Sequence, residues 1–379
     1  MQIDFNASAG SSLGIEWELE LVDRTSGELV SAASDILTEL SAPYGGGEHP
    51  KAKHELFESC IEVITGICTR VDEALDDLQR TVDEVAAAAD RRSIDLMCSG
   101  THPTSDWGDQ IVSPKERYGR LVDSMQWLVR RLQIFGVHVH VGVRSSDKVM
   151  PIVNALSMYV PHFLALSASS PYWVGVDTGL ASVRSKVFEG LPTAGLPYQL
   201  RGWQDFERFM GTLVESRTIA SVKEVWWDIR PHPEFGTVEL RICDGIPTLA
   251  EVGMVASLAQ CLVERFDGQL DRGYTLPMPH EWIVRENKWR AARYGLDAEI
   301  ITDDSGATAS LRREIEDLCA DLGPTAARLG CTEQLSTVDL VLAKGGSCQR
   351  QRAVASASDG SLRAVVASLV EEFAAGAPA

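Results

Sequence analysis

The chain has 379 residues, 45% of them apolar and 23% charged, with a formal net charge of -19. That composition suits a globular protein with ample core, and the negative balance argues against a general binder of nucleic acid or anionic membrane, which needs a basic surface. MQIDFNASAG lacks the basic and apolar regions of a signal peptide, no apolar run reads as long enough to span a bilayer, and eight scattered cysteines without a C-x-x-C pair fit the reduced thiols of a cytoplasmic protein.

The first periodic stretch is Leu13 to Val22. Leu13, Ile15, Trp17, Leu19 and Leu21 alternate with Gly14, Glu16, Glu18 and Glu20. Alternation of this kind marks a strand with one buried face. Alternate side chains lie roughly 6.6 Å apart, so the other face carries three crowded carboxylates, which suits a solvated edge or a cation site. Asp23–Gly27 reads as a turn, Glu28–Val30 as a hairpin partner, and Tyr44–Pro50 as a glycine-rich loop. Within His54–Thr65 the second half reads as a strand bearing Glu62, with Glu55 and Glu58 before it. Thr69 caps an amphipathic helix running toward Asp90, and Ile94–Ser99 reads as a strand.

A helix is expected over Pro114–Ile134. It leads into Val137–Val143, where four valines alternate with His138, His140 and Gly142. Lys148–Ala168 reads as a buried helix. Ser169–Leu200, rich in proline and glycine, reads as a functional loop holding Arg184. Val225–Arg230 and Thr237–Cys243 repeat the alternation and place Trp226, Asp228, Arg230, Glu239 and Arg241 on polar faces. Helices are expected over Trp203–Ser216, Thr248–Phe266 up to an Asp267-Gly268 stop, Ala307–Leu329 and Ser361–Phe373. The four alternating stretches suggest a single sheet, with one face on helices and the other lining a polar, ion-binding site. No repeat or linker stands out, so 1–379 is expected to form one domain, with a helical part from about residue 305.

An H-x-H strand is suitable metal-ligand geometry and also occurs for structural reasons. Zinc prefers His and Cys, whereas Mg²⁺ and Mn²⁺ prefer carboxylate oxygen. The companions here are Glu16, Glu18, Glu62, Glu239 and Glu55, which points to several hard cations. Such a site with arginines opposite suits nucleoside triphosphate chemistry, although neither G-x-x-x-x-G-K-[ST] nor G-x-G-x-x-G is present. Arg230 and Arg241 face the site by strand parity, and Arg184 is a further candidate. Asn287 and Arg290 are candidate nucleotide contacts, though Arg290 and Arg293 read more simply as a salt-bridged helix surface. A zinc hydrolase built on His138 and His140, and a nucleotide-binding protein without catalysis, remain alternatives.

Gly14-Ile15-Glu16-Trp17-Glu18, Glu62-Val63-Ile64-Thr65-Gly66, Gly100-Thr101-His102-Pro103, His138-Val139-His140-Val141-Gly142, Trp226 to Pro231, Thr237 to Arg241 and Glu286 to Gly295 occur in this order. Together they resemble the second-type glutamate–cysteine ligases, a carboxylate–amine ligase family. The resemblance implies an α+β fold like the catalytic domain of glutamine synthetase, a curved, mainly antiparallel sheet with helices on one face and an open active-site face. It implies ATP-dependent joining of glutamate to cysteine through γ-glutamyl phosphate, as in glutathione-type thiol biosynthesis. Glu16, Glu18, Glu62, Glu239 and one of His138 and His140 would bind Mg²⁺ or Mn²⁺, with Glu55 as a further acidic ligand. Arg241 would face the γ-phosphate or acyl phosphate. The expected partners are small molecules, glutamate and an amine such as cysteine, and a homo-oligomer is compatible with the chain. The motifs leave the amine acceptor open.

Overall fold

The computed structural model describes residues 1–379. Seven strands form the main sheet: β1 (Leu13–Asp23), β2 (Ala52–His54), β3 (Cys60–Ile64), β4 (Ile94–Met97), β5 (Val137–Gly142), β6 (Ile229–His232) and β7 (Thr237–Leu240). Their order is β6-β7-β5-β1-β3-β2, with β4 also on β1, and every pairing is antiparallel. β1 is the organiser. Its first half pairs with β5, its end pairs with β4, and β3 lies along its other side.

The alternation in β1 decides which face is core. Leu13, Ile15, Trp17, Leu19 and Leu21 are buried and belong to one apolar cluster with Val137, Val139, Val141, Val238 and Leu240. The helices Val71–Asp90 and Leu249–Asp271 pack on β1 from that side, and the C-terminal helices Leu311–Leu329 and Thr332–Lys344 pack in turn on Leu249–Asp271. Trp17, between two glutamates in sequence, points into this core and donates its indole N–H to Ile246 O at 3.1 Å.

Several expectations need correction. The 225–230 stretch is broken at Asp228: Trp226–Trp227 pairs with Ala194–Gly195 instead, and β6 begins at Ile229. The 114–134 stretch forms two helices, Glu116–Met125 and Trp127–Arg130, parted at Gln126, whose φ of 49° interrupts the helix. The helix after β7 runs through Asp267-Gly268 to Asp271, since Asp267 is buried and paired with Arg144 and Lys148 rather than free to cap. Contrary to the reading that no run could span a bilayer, Ser146–Ser167 is long and apolar enough, with mean hydropathy 1.5, but 83% of its apolar 18-residue window is buried inside the fold. The helical part expected from about residue 305 also contains the helices Thr332–Lys344 and Ser347–Ala357, whose bounds the sequence reading did not single out.

Candidate active site

Directly opposed residues of an antiparallel pair share a face, so the register assembles the site. Glu16 lies opposite His138, and Glu18 opposite Glu62. Glu239 lies opposite His140 on one side and Arg230 on the other. The polar face of the sheet thus runs from Arg230 through Glu239, the two histidines and Glu16 to Glu18 and Glu62. It floors a cleft of about 1390 Å³, walled by apolar side chains such as Leu121, Leu128, Phe188 and Leu191.

Glu16 is the junction. One carboxylate oxygen lies 3.0 Å from His138 Nδ1, and the other lies 3.3 Å from His140 Nε2. His140 Nδ1 sits 3.0 Å from Thr237 Oγ1. That contact orients the ring and aims Nε2 between Glu16 and Glu239, where it is buried without a hydrogen-bond partner. An imidazole held at one nitrogen with the other free in a carboxylate-lined space is the arrangement of a metal-ligating histidine. Three groups have donor atoms close enough to hold one ion each: Glu16, Glu62 and His138; Glu16, His140 and Glu239; Glu18, Glu55 and Glu62. His138 and His140 fall in different groups rather than converging as a zinc pair.

The charges divide the site in two. At one end Glu239 is gripped by Arg230, with Nε 2.6 Å from Oε2, and by Arg241. Burial opposes its ionisation, but the two guanidinium groups outweigh it and hold Glu239 well below the usual carboxylate range. Burial likewise opposes ionised Glu16, and the two histidines facing it outweigh that. At the other end cations are scarce. Burial and the neighbouring Glu55 push Glu18 up to about 8, and burial raises Glu55. Burial together with Glu16 and Glu55 pushes Glu62 well above its ordinary value. These carboxylates lack the positive charge that would let them ionise together. Oxygen donors with at most one imidazole per group fit a hard divalent cation.

Arg184, in the short helix Arg184–Phe188, is buried and lines the same cleft. It reaches the floor because residue 136 is glycine: a Cβ there would stand 2.3 Å from the Arg184 guanidinium. The Gly136 N–H donates to Glu18. Glu16, Glu18, Glu55, Glu62, His138, His140, Arg184, Arg230, Glu239 and Arg241 are therefore brought together.

Asn287 and Arg290 are not. Asn287 spends both ends of its amide on the main chain of Ile301, at 2.8 Å each, and Arg290 binds Glu286 and Glu299 O. Both serve the fold around the Glu299–Ile301 strand. The inward residue of that motif is Lys288, whose Nζ lies 2.6 Å from Asp228 and 2.6 Å from Glu189. Asp228 thus turns away from the site to which strand parity assigned it. His102 does not reach the site either; its Nδ1 accepts from Ser105 N at 3.0 Å. Sequence reasoning missed Arg117 and Tyr118 on the Glu116–Met125 helix, as well as His232 at the end of β6 and Phe235 in the turn after it, all of which line the cleft. In a charged first turn of a helix, Arg117 carried no signal that separates it from a solvated surface.

A family model described as glutamate–cysteine ligase family 2 matches residues 12–368. A Frankia alni protein, provisionally named glutamate–cysteine ligase 2-1, is 62% identical over 378 residues, covering 100% of this chain and 99% of that one. A Thermobifida fusca protein, provisionally named glutamate–cysteine ligase 2, is 58% identical, covering 100% and 95%. Among solved structures, the glutamate–cysteine ligase of Francisella tularensis in complex with AMP superposes with a TM-score of 0.63 at 14% identity, covering 98% of this chain and 94% of that one. That last likeness is one of fold.

Proposed function

The chain belongs to glutamate–cysteine ligase family 2, and from that membership we propose that it joins the γ-carboxylate of L-glutamate to the amine of L-cysteine, consuming ATP and releasing ADP and phosphate. The observation that carries the reading is Glu16, which meets two histidines and takes part in two of the three cation-sized groups. Mg²⁺ or Mn²⁺ would be held by Glu16, Glu18, Glu55, Glu62, His138, His140 and Glu239, supplying charge that offsets the phosphates.

The chain's own residues do the rest. Arg241 lines the cleft, and its Nε has no partner in the protein. It and Arg230, fixed by Glu239, offer cationic donors to the phosphoryl group as it transfers. Arg184 approaches the carbonyls of Arg241 and Ile242 and faces the same space. An oxygen of glutamate's γ-carboxylate attacks the γ-phosphorus, the bond to ADP breaks, and γ-glutamyl phosphate forms. The cysteine amine then attacks the acyl carbon, loses a proton and expels phosphate. The apolar wall limits water near the acyl phosphate. No side-chain nucleophile is needed, and no cysteine of this chain lines the cleft.

The test is isotopic. Glutamate labelled with ¹⁸O in its γ-carboxylate should pass one label into inorganic phosphate for each amide formed, in a reaction that requires Mg²⁺ or Mn²⁺. Label in AMP, or full turnover with zinc alone, would overturn the mechanism. An ADP-release screen with glutamate and a panel of amines fixes the acceptor.

A further inference from the structure

We propose that a second hollow beside Glu62 reads the α-carboxylate of an amino-acid substrate through Arg117, an inference that rests on the ligase reading above. The hollow has a volume of about 700 Å³ and is lined by Lys53, His54, Lys115 and Arg117, with Glu48 and Glu62 as its acids. Glu62 and Arg117 also line the main cleft, so the two spaces meet at the carboxylate end of the sheet.

The three arginines at the sheet floor of the main cleft already have partners within the protein. Arg230 and Arg241 hold Glu239, and Arg184 points at main-chain carbonyls. In the second hollow, Lys115 and Lys53 share a single acid, Glu48, at 2.7 and 3.8 Å. Arg117 donates only to Tyr118 Oη, and its guanidinium lies 4.4 Å from the centre of that ring. Tyr118 is buried and donates in turn to His54 O at 3.0 Å, which ties the platform to β2. Arg117 is thus a held, solvent-accessible guanidinium with no carboxylate of its own, beside a floor of Glu55 and Glu62. A planar fork of this kind matches a carboxylate bidentately.

An α-amino acid carries one carboxylate that takes no part in the reaction. On a face made of glutamates that group would be repelled, and Arg117 is where it can settle. Glutamate bound in this way would extend its γ-carboxylate toward the cluster, and an acceptor would present its amine there. The shared chemistry is the α-carboxylate, and the experiment tells the two sources apart.

Arg117→Met and Arg117→Lys are compared with wild type by varying ATP, glutamate and cysteine in turn, with thermal unfolding as a check on folding. Arg117→Met should raise the KM of one amino acid about ten- to hundredfold, the range for a charge-assisted hydrogen bond. The KM of ATP should stay within twofold, Arg117→Lys should recover part of the loss, and the melting point should not move. A shift confined to glutamate assigns the donor's carboxylate; one confined to cysteine assigns the acceptor's. Unchanged amino-acid KM values, or a rise in the KM of ATP alone, would overturn the proposal. Should wild type release no ADP with glutamate and any amine, the ligase reading fails by itself. Calorimetric titration of wild type and Arg117→Met with glutamate and with cysteine then decides the subsite. Binding lost in the variant upholds it; equal binding, or none to wild type, overturns it.

Discussion

Replacing Lys288 by methionine removes an ammonium group that ties three segments together. Its side chain is 2% exposed, and Nζ lies 2.6 Å from both Asp228 and Glu189, whose side chains are 3% and 31% exposed. Asp228 is the partner that matters. Its N–H donates to Gly195 O, and its carbonyl accepts from Arg241 N at 2.8 Å, so it joins the broken strand to the arginine end of the site. Without Lys288, Asp228 is a buried carboxylate without a cation, a loss that costs about 3–5 kcal/mol. Glu189 can rehydrate, and its share is at most about 1 kcal/mol. At about 2.1 cal/mol/K per residue, unfolding 379 residues cooperatively carries roughly 0.8 kcal/mol/K. A loss of 3–5 kcal/mol therefore lowers the melting point by about 4–6 °C. Adding Asp228→Asn to Lys288→Met removes the stranded charge and should restore about 2 kcal/mol of that loss, measured by urea and thermal unfolding. A Lys288→Met variant within about 1 kcal/mol of wild type, or a double variant that merely sums the single effects, would refute the reasoning.

Arg241→Lys keeps the charge but loses the fork, and kcat should fall about a hundredfold, with a smaller change in the KM of ATP; a KM effect alone in steady-state kinetics would reduce Arg241 to a nucleotide contact. Asn287→Ala should lower stability by about 1–3 kcal/mol through its two lost bonds to Ile301 while leaving the KM of ATP within twofold; a large KM change would return Asn287 to the nucleotide site. His162 is buried on the helix Val160–Ser167, and burial pushes its imidazole down to about 4 from an ordinary 6.5. Its folded value lies below the unfolded one, so its contribution is complete above pH 6.5 and is lost as the pH falls toward 4, by up to about 3 kcal/mol. His162→Leu should flatten the decline in stability over that window, and an unchanged slope in pH-dependent denaturation would count against it.

The corrections share a cause. Period-two alternation is a statement about neighbours in the chain, and it held where a strand continued, as in β1 and β5. At Asp228 the strand breaks, parity is lost, and a residue read as part of the site becomes the anchor of Lys288. The Glu286–Gly295 motif misled for a related reason. A helix presents several faces, and the residues chosen, Asn287 and Arg290, lie on faces used by Ile301, Glu286 and Glu299. Thr237 and Arg117 could not be singled out, because a hydroxyl that orients an imidazole and a guanidinium on a helix's first turn resemble any surface residue until their neighbours are in place.

The sequence by itself determined the face on which each glutamate, histidine and arginine of the sheet lies, because buried apolar positions leave the alternate ones no other side. Its donor types also indicated hard cations rather than zinc. Which residue meets which was decided only by the tertiary structure. Glu16 and His138 are 122 residues apart, Arg230 and Glu239 are 9, and Glu18 finds Glu62 across a strand pair. Those meetings depend on strand order and register, and register is fixed by packing on the opposite face, where Trp17 seats against Ile246 and Cys98. A shift of one residue would keep the alternation in the sequence and turn every carboxylate of β1 into the core.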